Sequence, residues 1–208
     1  MKLFYSPGAG SLAIHILANE LNQTIRLIEV DLRTKALDTC GNLNDVTPKS
    51  TIPAIMTDDG FVLTECAAIL QFMADSAGRS DLLPPPGDRK RYKIVEMLNF
   101  LASEIHKNYS PLFIPNHSAE VDALFRERLH QKMALIESHF LDEQDYLLGE
   151  TFGLADMYFF TQLNWSQLLR IKHSATINAY RARIFQRPSV QQALGREGLI
   201  DVIATKAS

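Results

Sequence analysis

Cysteine is scarce in this chain. Cys40 and Cys66 are the only two in 208 residues, too few and too widely placed for a disulfide framework or a zinc site. The six histidines show no recognisable metal spacing, so no metal is expected. No apolar run is long enough to span a bilayer, and the N-terminus lacks a signal-peptide pattern. The charge excess is small, −3 with a pI near 6.1, which gives no basis for a nucleic-acid surface. There is no internal repeat and no low-complexity tract. The expected setting is a reducing cytoplasm, away from membrane and nucleic acid. At 208 residues the chain can bury a substantial core, as one large domain or two small ones.

The most informative residues are Thr51-Ile52-Pro53-Ala54-Ile55, followed after a short hairpin by Leu63-Thr64-Glu65-Cys66. A proline entering a strand cannot donate to the sheet ladder. A cis peptide before Pro53 would turn the Ile52 N–H and C=O toward open space, where they could bind an extended peptide as an added strand would. Glu65 falls where strand gives way to helix, beside N–H groups that attract a carboxylate. The segment suits a small acidic peptide; the plainer reading is a proline at a strand start.

Around it, Lys2-Leu3-Phe4-Tyr5 reads as a strand and Ser6-Pro7-Gly8-Ala9-Gly10 as a turn. Ser11 is expected to cap a helix through Leu12, His15, Ile16 and Glu20. Thr24 to Asp31 alternates like a strand. Asp58-Asp59-Gly60 separates two strand segments as a hairpin turn, and Cys66 to Ala77 has helical spacing. Leu82-Leu83-Pro84-Pro85-Pro86-Gly87 is a stiff, helix-breaking linker. Beyond it only helices are predicted: Asp88 to Lys107, Glu120 to Phe140, a buried central helix from Leu154 to Leu169, then Ala175 to Gln186 and Ser189 to Leu194. Gly153 reads as the N-cap of the central helix, with Asp156 at N3 and Phe152 and Met157 as a hydrophobic staple. A glycine cap should keep half the hydrogen bonds of a capping box.

Strand, helix, strand, a mixed segment, two strands and a helix is the element order of a thioredoxin-like domain. The chain resembles a cytosolic glutathione transferase, most closely the bacterial beta class. The resemblance rests on Lys2 to Ala9, Ser11-Leu12-Ala13, Val30 to Lys35, Asn44 to Ala54, Leu63-Thr64-Glu65, Glu104-Ile105-His106-Lys107 and Gly149 to Tyr158. It implies an α/β thioredoxin-like glutathione-binding domain (residues 1–79), a linker (80–87) and an all-helical domain carrying the electrophile pocket (88–208). It also implies a homodimer, glutathione as co-substrate and a small hydrophobic electrophile as partner.

The resemblance further implies roles for particular residues. Beta-class enzymes carry a cysteine at position 10; this chain has Gly10, so chemistry dependent on that cysteine is in doubt. Candidates to stabilise the glutathione thiolate are Ser11, His106 and Tyr5. Ser11 reads equally as a plain cap. The thiol is expected over the helix start, where N–H groups and the dipole favour an anion. Glutathione binding is expected from Gly10, Lys35, Ile52, Pro53, Glu65, Cys66 and Asn99, with Lys35 at the glycyl carboxylate and Glu65 and Cys66 at the γ-glutamyl end. Cys66 reads poorly as a substitute redox thiol. Lys107, Phe113 and Trp165 are expected at the electrophile pocket, although Trp165 also reads as core. His15, His117, His130, His139 and His173 have no assigned role. The expected activity is conjugation of glutathione to hydrophobic electrophiles, with glutathione-dependent peroxide reduction as a second reaction. The alternative is a non-catalytic glutathione- or ligand-binding protein on the same scaffold.

Overall fold

The structure, a computed structural model, describes residues 1–204. It opens with β1 (Lys2–Tyr5), α1 (Ser11–Glu20) and β2 (Arg26–Glu29), a βαβ unit whose strands pair in parallel. After an irregular segment come β3 (Ala54–Met56), β4 (Val62–Thr64) and α2 (Cys66–Ser76). The sheet order is β2-β1-β3-β4, with β3 antiparallel to both neighbours. This is the thioredoxin-like sheet that the element order predicts. Strand alternation sorts its residues: Leu3 and Ile55 face the helices, while Phe4, Ile28 and Ala54 join Val30 and Leu43 in a smaller cluster. The peptide between Ile52 and Pro53 is cis, as expected.

The second half is helical: α3 (Arg89–Phe100), a π-helical turn (Leu101–His106), α4 (Lys107–Tyr109), α5 (Ala119–Phe140), α6 (Leu154–Leu168), α7 (Ala175–Phe185), α8 (Pro188–Arg196) and α9 (Ile200–Ala204). Asp88 caps α3, its carboxylate accepting from the Lys90 N–H at 2.8 Å. The expected single helix from Asp88 to Lys107 is therefore interrupted. A π turn widens the backbone and re-aims the side chains that follow, and here it ends on His106. The strand expected from Thr24 to Asp31 is also shorter, because pairing with the four-residue β1 limits its ladder.

Two helices are buried nearly all round. Ser11 to Ala18 of α1 are buried, and α1 packs on α2, α6 and α8. In α6 every residue from Leu154 to Ser166 is buried, so it is the central helix the sequence predicts. Gly153 is its N-cap, and its N–H donates to Asp156 Oδ2 at 2.8 Å. The other carboxylate oxygen accepts from the Leu147 N–H at 2.9 Å and the Tyr180 hydroxyl at 2.7 Å. The half-box at the helix start thus also ties down the preceding loop and α7.

Candidate active site

The start of α1 lies at the junction of the two halves. In the turn entering it, the Ala9 N–H donates to Ser6 O at 3.0 Å and the Leu12 N–H to Ala9 O at 2.9 Å. Gly8, at φ +71°, is gripped from both sides. Its N–H donates to Glu197 Oε2 at 2.9 Å, and its carbonyl accepts from Trp165 Nε1 at 2.8 Å. Glu197 is itself buried and meets His15 Nδ1 at 2.8 Å. A Cβ on Gly8 would sit 3.4 Å from Leu199 Cδ1, in a backbone region that disfavours side chains. The turn is therefore fixed by distant elements as well as by its own bonds.

Gly10, not Ser11, is the N-cap of α1. The expected cap is corrected by one residue: Ser11 is already helical. Its buried Oγ folds back, donating to Ser6 O at 3.3 Å and accepting from the Ser6 N–H at 3.4 Å. Around Gly10 the two halves close. A Cβ there would lie 3.4 Å from His106 Cε1 and 3.7 Å from Pro53 Cδ, and Cys66 Sγ donates to the Gly10 carbonyl at 3.6 Å.

His106 is held by aromatics. Its Nδ1 is 2.7 Å from the Tyr158 hydroxyl, and its ring meets Trp165 edge-on at 4.6 Å between centroids. Tyr109 and Phe113 also stand edge-on to Trp165, at 5.5 and 6.1 Å. Burial, and then the Lys107 charge, pushes the His106 pKa down to about 4, against a smaller opposite pull from Glu65. The imidazole is therefore neutral at physiological pH. Burial pushes the Cys66 thiol up, with Glu65 adding to the effect, so it stays protonated and unreactive.

Glu65 is the N-cap of α2, at φ 72° and ψ 119°. A non-glycine residue held there costs about 1–3 kcal/mol. Its exposed side chain pairs with Lys49 at 3.0 Å; a surface pair worth about 0.2–1 kcal/mol cannot by itself impose that strain. The same weakness leaves the carboxylate free to exchange Lys49 for another cation. Lys35, half-buried at φ +62°, is fixed by backbone bonds from its N–H to Asp31 O and from the Leu43 N–H to its own carbonyl.

These contacts bring together Gly10, Pro53, Cys66, His106, Phe113 and Trp165, with Ile52 and Glu65 adjacent in sequence. Ser11 faces Ser6. The Tyr5 hydroxyl is 3.5 Å from Glu29 Oε2, and burial, then Glu29, Glu197 and Asp38, raise its pKa. Asn99 is exposed on α3, its amide donating to Val95 O at 2.9 Å, and Lys107 is exposed beside His106. Sequence reasoning missed Tyr158, Gln162 and Glu197. The signal for the first two was Tyr158, Gln162 and Ser166 at four-residue spacing on one buried helix; Glu197 had none. Among the described residues, no group of three or more His, Cys, Asp or Glu is arranged to hold a metal ion, and no helix is long and apolar enough to cross a membrane.

Comparison with known proteins gives the same reading. Residues 11–76 match the glutathione S-transferase N-terminal domain, and residues 87–183 the glutathione S-transferase C-terminal domain. The chain is 40% identical over 201 residues to glutathione S-transferase GstA of Escherichia coli O157:H7, covering 96% of this chain and 100% of the relative. A sphingomonad glutathione S-transferase complexed with glutathione superposes with a TM-score of 0.90 at 38% identity, covering 96% of this chain and 100% of the other. The bacterial beta class glutathione S-transferase of Sphingomonas chungbukensis does so with a TM-score of 0.90 at 39% identity, with the same coverage. The chain belongs to the glutathione S-transferase family.

Proposed function

We propose that this glutathione S-transferase conjugates glutathione to hydrophobic electrophiles, with the thiolate held between the α1 N-terminus and His106. Within the family it stands beside the bacterial beta class, with Gly10 in place of the class cysteine. The Ile52 main chain, ahead of Pro53, pairs with the peptide as an added strand would. Glu65 takes the γ-glutamyl ammonium in exchange for Lys49, the Cys66 N–H meets the γ-glutamyl carboxylate, and Lys35 meets the glycyl carboxylate. Asn99 reaches the peptide from α3. Phe113 and Trp165 wall the electrophile side, with Lys107 at its rim. The same thiolate would reduce hydroperoxides, two glutathiones giving the disulfide, the alcohol and water. The protein works as a homodimer.

The observation that carries this is the His106 ring edge, 3.4 Å from where a side chain on Gly10 would begin. A free thiol near pKa 8.5 is mostly protonated at neutral pH. Lowering it by two units takes about 2.7 kcal/mol. A helix N-terminus supplies about 0.3–1 kcal/mol, and a hydrogen bond to the charged sulfur about 1.5–3 kcal/mol. One well-placed donor therefore suffices without a side chain at position 10. His106 fits that part. Ser11, already bonded to Ser6, supports the turn and stands second as a donor. Tyr5, protonated and surrounded by carboxylates, stands third.

Titrating the thiolate absorbance of the glutathione complex tests this. A bound thiol pKa well below the free value, with turnover of a reactive aryl halide, is the expected result. Normal glutathione binding with an unshifted thiol and no turnover of any electrophile or peroxide would establish a non-catalytic binding protein instead.

A further inference from the structure

We propose that Tyr158 is a positioning residue that fixes the tautomer of His106, so that the imidazole presents an Nε2–H donor to the glutathione sulfur. The proposal rests on the reading of His106 given above and specifies what that residue does. A neutral imidazole has one N–H and one bare nitrogen, and the two tautomers would act oppositely here. With the proton on Nε2 the ring donates to a thiolate. With the proton on Nδ1 it turns a lone pair toward the sulfur and disfavours the anion.

The choice is made from α6. The Leu101 carbonyl, at the start of the π turn, can only accept, and the Gln162 Nε2 group donates to it at 3.1 Å. That bond commits the Gln162 amide to Leu101, and its Oε1 takes no hydrogen bond, so the Tyr158 hydrogen does not go there. The Tyr158 hydroxyl lies one turn earlier on the same helix, and its hydrogen-bond partner is His106 Nδ1, at 2.7 Å. A phenol is a stronger acid than a neutral imidazole N–H, and the bare imidazole nitrogen is the stronger base, so the Tyr158 hydrogen points to His106 Nδ1. Nδ1 accepts, and the imidazole proton sits on Nε2. Cε1, bonded to both nitrogens, is the atom facing Gly10, and Nε2 is the nitrogen that Tyr158 leaves for the cleft. Deprotonation of glutathione then releases its proton to solvent, while the imidazole stays neutral throughout and stabilises the sulfur by donation.

The test is the Tyr158→Phe variant, which keeps the ring and removes only the hydroxyl, together with nitrogen-15 NMR of the imidazole in the wild-type protein. In wild type, Nε2 should carry the proton and Nδ1 should be bare. In Tyr158→Phe, the thiol pKa of bound glutathione should rise by about one unit, kcat at neutral pH should fall about tenfold, and KM for glutathione should hold. The loss should shrink as pH rises past the thiol pKa, a pH dependence that damaged packing would not produce. A proton on Nδ1 of the wild-type imidazole overturns the proposal even if the variant does not fold. An unshifted thiol pKa in Tyr158→Phe, beside a raised one in His106→Ala, overturns it while leaving the His106 reading intact. An unshifted pKa in both variants overturns the His106 reading as well.

Discussion

At position 10 the backbone is helical, with φ −54° and ψ −22°, so nothing in the main chain demands glycine there. A Cβ would make ordinary contacts with His106 and Pro53. Gly10→Cys should therefore fold with stability within about 1 kcal/mol of wild type. It should gain thiol–disulfide exchange with glutathione, because a thiol at a helix start is acidified, and lose conjugation as the new thiol competes for the same donors. Stopped-flow exchange and aryl halide assays on the purified variant check both; unchanged conjugation would mean the sulfur does not sit at this helix end. His106 makes a second prediction. Its folded pKa is depressed to about 4 from an ordinary value near 6.5. Its contribution is fully present above the unfolded value and lost as pH falls from about 6.5 to 4, because the unfolded chain takes up the proton first. Urea unfolding over that range should show falling stability, with a shallower slope in His106→Gln. The buried His173, pushed down in the same direction, should keep part of the slope in place. His106 was legible in the sequence through its motif. Tyr158 was not, because the bond that matters joins residues 52 apart in sequence and no local pattern encodes it.

Among the elements, α6 concentrates the consequences of a single missing side chain. Gly153 adopts φ −142°, extended backbone open to any residue, and a Cβ there would come no nearer than 3.8 Å to Asp156 Oδ2. Gly153→Ser should complete the capping box and raise stability by a few tenths of a kcal/mol, seen as a small upward shift in calorimetric Tm; a fall would show that the loop cannot admit a hydroxyl. Asp156→Ala should do far more harm. It strips the partner from the Leu147 N–H, the Gly153 N–H and the Tyr180 hydroxyl together, and each buried group left unpaired costs about 1–3 kcal/mol. Loss of about 3 kcal/mol or more is expected in denaturant unfolding, with any loss under 1 kcal/mol contradicting this account. The cap was readable because Phe152, Gly153, Asp156 and Met157 lie within six consecutive residues. The π turn from Leu101 to His106 was not, since apolar spacing at Met97, Leu98, Leu101 and Ile105 fits one straight helix. What opens the ladder is tertiary: Gln162 claims the Leu101 carbonyl from across the core.

For the whole molecule, the helical half leaves apolar side chains on its surface. Tyr92 on α3 is 58% exposed and Leu124 on α5 is 48% exposed, and on the other half Phe61 is 48% exposed beside Phe72. A homodimer covering part of this surface predicts twice the 23.4 kDa chain mass in sedimentation equilibrium at micromolar concentration. A single species at chain mass would refute it.

The double grip on Gly8 bears on how such proteins can be recombined. Its N–H is held by Glu197 and its carbonyl by Trp165, so the last quarter of the chain shapes the turn that begins the first helix. Exchanging helical halves between relatives is an obvious way to seek a new substrate preference while keeping the thioredoxin-like half. Here such a chimera inherits a mismatched turn unless the donor brings an indole and a carboxylate to the same two places. The two halves are matched keys, and libraries built by crossover at the proline linker should yield active members chiefly where that pairing is kept.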